Sequence, residues 1–227
     1  MMTKAEFESS LSAPLTFWQS QTKENVRMLL GDAAAQMVGF EQHNPHHCYD
    51  LFMHTLHAVD AIDPSFPTIL RTAAFFHDIG KPFVAIKKQG RLVFYGHARK
   101  SVEIAAPILT QLGYTAHEVD LICFYILHHD DFISWVLPTE QYDHQNPHIK
   151  EITLENVKAH TQKTMAGNAL FEREDAKSVW LCLTELCRAD ASAQAEFVYR
   201  NGALIDSMAH KTQKTDRVKE MILALFA

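Results

Sequence analysis

The chain has 227 residues, of which 47% are hydrophobic, and a formal net charge of −6. This length and apolar content predict one globular domain with a substantial core, and exclude a fibre or a disordered tail. The acidic balance argues against a nucleic-acid groove or an anionic membrane as the main partner, and the longest apolar run, residues 121–127, is too short to span a bilayer.

Two further features of the composition indicate where the chain works and how it folds. The four cysteines show no CxxC spacing, and no apolar stretch follows a basic start at the N-terminus, so we expect reduced thiols and a cytoplasmic protein. Eight Gly and eight Pro are few for this length, which favours helices. The fourteen histidines are the outlier, and several fall at the ends of predicted helices.

The first 42 residues are predicted to be helices that serve as a packing collar. A helix is expected over Lys4–Ser10, and Thr22 caps a second run whose apolar positions recur at helical spacing from Val26 to Met37. A turn over 44–49 then leads into a helix over about 50–60, with Asp50 as its expected N-cap.

The next predicted helix, about 68–78, ends in an unusual pair. Its apolar end carries His77 and Asp78 side by side and is stopped by Gly80 and Pro82. Burying two adjacent polar groups costs several kcal/mol unless they are paired, and a divalent cation pairs with both. Because the loop before this helix is short, its antiparallel neighbour can bring His54 close to His77.

The following elements bring further histidines to helix ends. Residues 84–95 are predicted to form a small hairpin around Gln89 and Gly90. A helix over about 97–112 begins at His97, and another over about 116–129 ends at His128 and His129. The polar segment 138–148 is a candidate lid over a site.

The C-terminal part is predicted to contain helices over 154–164, 172–191 and 216–226, the last one for packing. The second of them ends in Arg188 and Asp190. No repeat or linker divides the chain. We therefore expect a single all-α domain over 1–227 with a small β-hairpin and helical extensions at both ends.

The ordered residues His54, His77-Asp78, His97, His128 or His129, and Asp190 resemble the HD superfamily of metal-dependent phosphohydrolases. Within it, the stretches HCYDLFMHTL (47–56), AAFFHDIGKP (73–82) and FYGHA (94–98) are most similar to the HD domain of bacterial tRNA nucleotidyltransferases. The resemblance covers about 44–191 and implies an HD-domain helical bundle. The sequence pattern of a nucleotidyltransferase head does not precede it, so nucleotide addition is not implied.

The resemblance implies that four residues hold one metal, namely His54, His77, Asp78 and Asp190. It also implies a second metal held by His97 and by His128 or His129, with Asp78 as a bridge. Neighbouring helical residues point about 100° apart, so usually only one of the two histidines faces the metal, although both can reach it where a helix ends.

This donor set suits Fe, Mn, Ni, Co or Zn, since it combines imidazoles and carboxylates without a thiolate. Such a metal lowers the pKa of water from 15.7 towards about 7 and favours attack of hydroxide on phosphorus. Asp78 and Lys81 are the candidate catalytic residues. Lys81 can meet a phosphate or, equally, satisfy carbonyl groups at the helix end. Further candidates for anchoring the substrate are Arg99, Lys100 and Arg188.

The sequence therefore predicts a metal-dependent phosphohydrolase, a phosphomonoesterase or a phosphodiesterase, that acts on a nucleotide or another small phosphoester. Two alternatives remain open at this point. The same ligands resemble those of HD-type di-iron oxygenases, and a metal with no open position would instead indicate a non-catalytic module that binds metal or nucleotide.

Overall fold

A computed structural model describes residues 2–140, 149–200 and 203–227. Its helices, in chain order, are α1 Lys4–Ser10, α2 Pro14–Phe17, α3 Lys23–Leu30, α4 Asp32–Ala35, α5 Leu51–Asp60, α6 Thr68–Phe76, α7 Lys81–Val84, α8 His97–Leu112, α9 Ala116–His128, α10 Leu154–Met165, α11 Ala176–Ser192 and α12 Ser207–Leu225. A short 3₁₀ turn, Ala169–Glu172, precedes α11. The predicted all-α architecture is confirmed.

The strands form two antiparallel hairpins. In the first, β1 Ile86–Lys88 pairs with β2 Arg91–Val93, as the sequence predicted. Gln89 and Gly90 both have positive φ, 50° and 79°, which matches the twist of a two-residue hairpin loop. The second, β3 Phe197–Arg200 with β4 Ala203–Asp206, was not predicted.

The core is built by α5, α6, α9 and α11, whose apolar faces meet in one cluster of buried side chains. The N-terminal helices add aromatic rings to it. Phe7 and Trp18 are fully buried, and each ring centroid lies 5.2 Å from that of Phe75 on α6. Packing of this kind stabilises α6 just before the turn that carries the polar pair.

Local signals explain most helix boundaries. The Asp50 carboxylate accepts a hydrogen bond from the Met53 backbone N–H at 2.8 Å, which confirms the expected N-cap of α5. The run predicted from residue 22 to residue 37 is broken at Gly31, whose φ of 93° ends α3. The last helix begins nine residues earlier than predicted, because Asp206 caps it by accepting from the Ala209 N–H at 2.8 Å.

The turn after α6 is packed directly against α8. Helix α6 ends at Phe76, so His77 and Asp78 lie in the turn between α6 and α7 and not inside a helix. The Gly80 N–H donates to the Ser101 hydroxyl at 2.9 Å. This contact fixes the polar pair relative to the first turn of α8, where His97 lies.

The predicted lid segment and the length of the helices can now be compared with the sequence predictions. Of the candidate lid 138–148, residues 141–148 lie outside the described residues. Over the described ranges, no helix combines the length and the apolar character that crossing a membrane requires.

Candidate metal centre

Four histidine rings around Asp78 are held through the same ring nitrogen, Nδ1. The Nδ1–H groups of His77, His97 and His129 each face the carbonyl oxygen three residues earlier, at 2.7, 2.9 and 2.7 Å. His54 Nδ1 instead donates to the carbonyl of Ala193, at 3.1 Å and far along the chain. With Nδ1 donating, each Nε2 keeps a lone pair, which is how metal-binding histidines are oriented.

The first group of donors is His54, His77, Asp78 and Asp190, and all four are buried. His54 Nε2 lies 3.0 Å from Asp190 Oδ1 and 3.5 Å from Asp78 Oδ2. His77 Nε2 lies 3.2 Å from Asp78 Oδ2 and 3.5 Å from Asp190 Oδ1. Bonds of about 2.0–2.2 Å to one metal place neighbouring donors about 3.0–3.5 Å apart, so these distances fit a single ion.

A second group shares Asp78 with the first and adds His97 and His129. Asp78 Oδ1 lies 3.1 Å from His97 Nε2 and 3.6 Å from His129 Nε2, and the two Nε2 atoms are 3.2 Å apart. Asp78 therefore offers one oxygen to each group. This arrangement can hold two ions with the Asp78 carboxylate between them.

Three buried atoms at this centre have no hydrogen-bond partner among the described residues: His54 Nε2, His77 Nε2 and Asp78 Oδ1. An unpartnered buried polar atom costs about 1–3 kcal/mol. A cation bound at the centre removes that cost for all three, so the residues present fit a metal.

The carboxylates of this centre raise the pKa values of two of its histidines. Burial lowers the pKa of His77, but the carboxylates of Asp78 and Asp190 outweigh it and raise that pKa to about 10. Burial also lowers the pKa of His97, and Asp130 and Asp78 raise it to about 10. Metal binding needs an unprotonated Nε2, so it competes with the protons that these carboxylates favour.

Lys81 lies against the shared carboxylate. Its side chain is buried, with Nζ 2.6 Å from Asp78 Oδ2 and 3.1 Å from Gln42 Oε1. Burial raises the pKa of Asp78, but Lys81 and His77 hold that pKa well below its usual range. Lys81 is the first residue of α7, and its ammonium binds a carboxylate and not the carbonyls at the end of α6.

An open cavity of about 570 Å³ leads to this centre. Its described lining includes Asp78, Lys81, His97, His129 and Asp190. The centre therefore lies at the wall of a space large enough for a small molecule.

Several predicted residues lie elsewhere. His128 does not join the donors: its Nδ1 is 2.7 Å from Asp131 Oδ2, on another side of the helix end, and His129 takes the inward position. Arg99 is exposed, and Lys100 pairs with Glu103 at 2.9 Å on the surface. None of these side chains lines the described wall of the cavity.

Arg188 is also turned away from the cavity, although it lies two residues before Asp190. Its guanidinium pairs with Glu185 at 2.6 Å and donates to the Ala61 carbonyl. It lines a separate groove between α11 and α12. Helical phase explains this, since residues two apart on a helix face different sides.

The sequence did not single out three polar residues at the site. Asp130 Oδ2 lies 3.1 Å from His97 Nε2 and faces the cavity. Gln194 and Lys211 line the same cavity from the C-terminal part. Asp130 follows the His128-His129 pair directly, and that position was a signal that could have identified it.

The family model of the HD domain matches residues 46–191, well over half of the chain. The chain therefore belongs to the HD domain family, most of whose members are metal-dependent hydrolases. Two curated relatives are similar to it. A CC-adding tRNA nucleotidyltransferase from Thermus thermophilus is 35% identical over 102 residues, 43% of this chain and 23% of the relative.

The second relative is an A-adding tRNA nucleotidyltransferase from Deinococcus radiodurans. It is 38% identical over 79 residues, which are 33% of this chain and 18% of the relative. The matches thus span less than a quarter of the length of either relative. They agree with the resemblance found in the sequence.

The orientation of the two adjacent histidines yields a direct test. We expect His129→Ala to lower the bound metal from two ions per chain to one, because it removes a donor 3.2 Å from His97 Nε2. His128→Ala, a matched neighbour bonded to Asp131, is expected to keep both ions. Elemental analysis of protein purified without chelator measures this, and equal metal content in the two variants would contradict the assignment.

Proposed function

We propose that this protein is a metal-dependent phosphoric ester hydrolase that cleaves a nucleotide or another small phosphoester, a monoester or a diester, in the cytoplasm. One observation carries the proposal: two donor groups share the Asp78 carboxylate at the wall of an open cavity. A centre with two adjacent ions and access for a substrate suits in-line displacement at phosphorus.

The donor residues prepare the site for that reaction. When bound, the ions would polarise the phosphoryl oxygens and make a water molecule nucleophilic at neutral pH. The Nδ1–H bonds of His54, His77, His97 and His129 to carbonyls keep their rings from turning as charge develops. The protein thus supplies a rigid frame on which the phosphoryl group is oriented.

Two charged side chains act at the cavity side of this frame. Asp130 Oδ2, 3.1 Å from His97 Nε2, is placed to accept a proton from the attacking water. Lys81 Nζ, 2.6 Å from Asp78 Oδ2, would act as a point charge beside a phosphoryl oxygen.

The names of the two relatives support a class of substrate. Both curated relatives are named for adding nucleotides to tRNA, which supports a nucleotide-like phosphate as the substrate class. Nucleotide addition itself is not proposed, because the matches cover less than a quarter of those proteins.

The proposal is tested with protein purified without chelator and assayed on p-nitrophenyl phosphate, bis(p-nitrophenyl) phosphate and nucleoside 2′,3′-cyclic monophosphates. We expect hydrolysis of at least one of them, its loss after chelation and its return when Mn²⁺, Co²⁺ or Ni²⁺ is added. Absence of hydrolysis with every metal would contradict the proposal. Oxygen uptake by the iron-loaded protein would then indicate the oxygenase chemistry that the same donors allow.

A further inference from the structure

Part of the cavity wall comes from residues beyond the family match, which ends at residue 191. Hairpin β3–β4 contributes Val198 and Ile205, and the start of α12 contributes His210 and Lys211. Residues outside the family match therefore line the same cavity as the donors of the HD domain.

Lys211 stands out among the cations of this wall. It is half-buried, and its ammonium donates to the side-chain oxygen of Gln194. In the described part of the chain no carboxylate lies within ion-pair distance of it, whereas Lys81 pairs with Asp78, His210 pairs with Glu140, and the Lys214 ammonium donates to the Ile133 carbonyl. Burial lowers the pKa of Lys211, which reflects the cost of a cation with little compensation.

Gln194 connects this cation to the metal centre. Its side chain is buried, and Nε2 lies 3.4 and 3.5 Å from the two oxygens of Asp190. The ammonium of Lys211 is thus one side chain away from a donor of the first metal group. An anion that contacts Lys211 would be adjacent to a phosphoryl group held at the metals.

We propose that Lys211 binds a second anionic group of the substrate, so that the preferred substrates are diphosphates or other phosphoesters with two adjacent anionic groups. This inference rests on the proposed function, since it assigns the first anionic group to the metal centre. A lysine ammonium binds phosphate as a compact charge, and a partly desolvated one gains most from it. The apolar Val198 and Ile205 would contact the uncharged remainder of the substrate.

The test compares inorganic pyrophosphate with orthophosphate by calorimetry on the metal-loaded protein. We expect the wild type to bind pyrophosphate more tightly, and Lys211→Gln to lower that affinity by about tenfold or more while orthophosphate binding and metal content stay unchanged. Lys211→Arg should restore most of the affinity because it keeps the charge. Lys219→Gln, an exposed lysine of the same helix that does not line this cavity, should have no effect.

Other outcomes separate this inference from the proposed function. An unchanged affinity of Lys211→Gln for pyrophosphate would overturn the inference. So would an equal loss for both probes together with lost metal, which would assign Lys211 to positioning Asp190 through Gln194. A wild type that binds pyrophosphate through Lys211 and hydrolyses no ester would contradict the hydrolase alone, because binding needs no turnover.

Discussion

Asp78→Asn is expected to remove both metal ions and to lower phosphoester hydrolysis by about a thousandfold or more. The Asp78 carboxylate gives Oδ2 to the group around His77, at 3.2 Å, and Oδ1 to the group around His97, at 3.1 Å. Asparagine keeps the shape but lacks the charge, and its amide nitrogen cannot act as a donor to a cation. Elemental analysis and steady-state kinetics on the best ester measure the two effects.

The same change also affects stability, because Lys81 is buried and loses its ion pair with Asp78. Removing one partner of a buried ion pair leaves the other charge unpaired and lowers the free energy of unfolding by about 3–5 kcal/mol. The double variant Asp78→Asn/Lys81→Met removes the unpaired cation, so it should regain stability while metal and activity stay lost. This comparison separates a missing donor from a misfolded protein.

A matched control for Asp78→Asn is Asp131→Asn. Asp131 also contacts two histidines, His128 at 2.7 Å and His160 at 2.8 Å, but it belongs to neither donor group. We expect this variant to keep its metal. Full metal content in Asp78→Asn would rule out that the Asp78 carboxylate is a ligand shared by both metal ions.

The sequence predicted those parts of the centre that depend on local structure. His77 and Asp78 are neighbours at the end of a predicted apolar helix, although the structure ends that helix at Phe76, just before the pair. His54 lies on the next helix back, and the short connection makes that contact predictable. The structure brings these three residues together with Asp190, the donor set that the family resemblance implied.

Contacts that depend on the distant packing of the chain were not predictable in this way. The choice between His128 and His129 is set by the exact end of α9, where one residue changes the direction of a side chain by about 100°. Lys211 reaches the centre only because α12 packs back on α11. No local pattern in the sequence encodes that packing.

The missed hairpin is a different case, since a local signal was present. The apolar, β-prone residues of β3 and β4 flank Asn201 and Gly202 in the sequence, a dipeptide typical of two-residue hairpin loops. The C-terminal part was predicted to contain only helices, so this hairpin signal was not used. As a result the cavity wall formed by Val198 and Ile205 was not foreseen.

Gly80→Ala is expected to destabilise the protein by about 3 kcal/mol or more, a fall in Tm of about 6–12 °C for a chain of this size. The φ of Gly80 is −78°, so the backbone itself accepts any residue. An added Cβ, however, would lie 2.5 Å from Ser101 N and 2.6 Å from His97 O. Both are backbone atoms of α8, which cannot rotate out of the way as a side chain can.

Relief of this clash requires α8 to move, and α8 carries His97. Since His97 Nε2 lies 3.1 Å from Asp78 Oδ1, we expect the second metal to be lost before the first. The control is Gly113→Ala, where φ is 100° but, beyond the chain neighbours of Gly113, no atom of the described residues lies within 4 Å of the added Cβ, so only backbone strain of about 1–2 kcal/mol applies. Thermal melts and metal content measure both variants. A Gly80→Ala protein that melts like Gly113→Ala and keeps two ions would show that the turn and α8 separate freely, and the close packing of that turn would then not be what holds His97 at the centre.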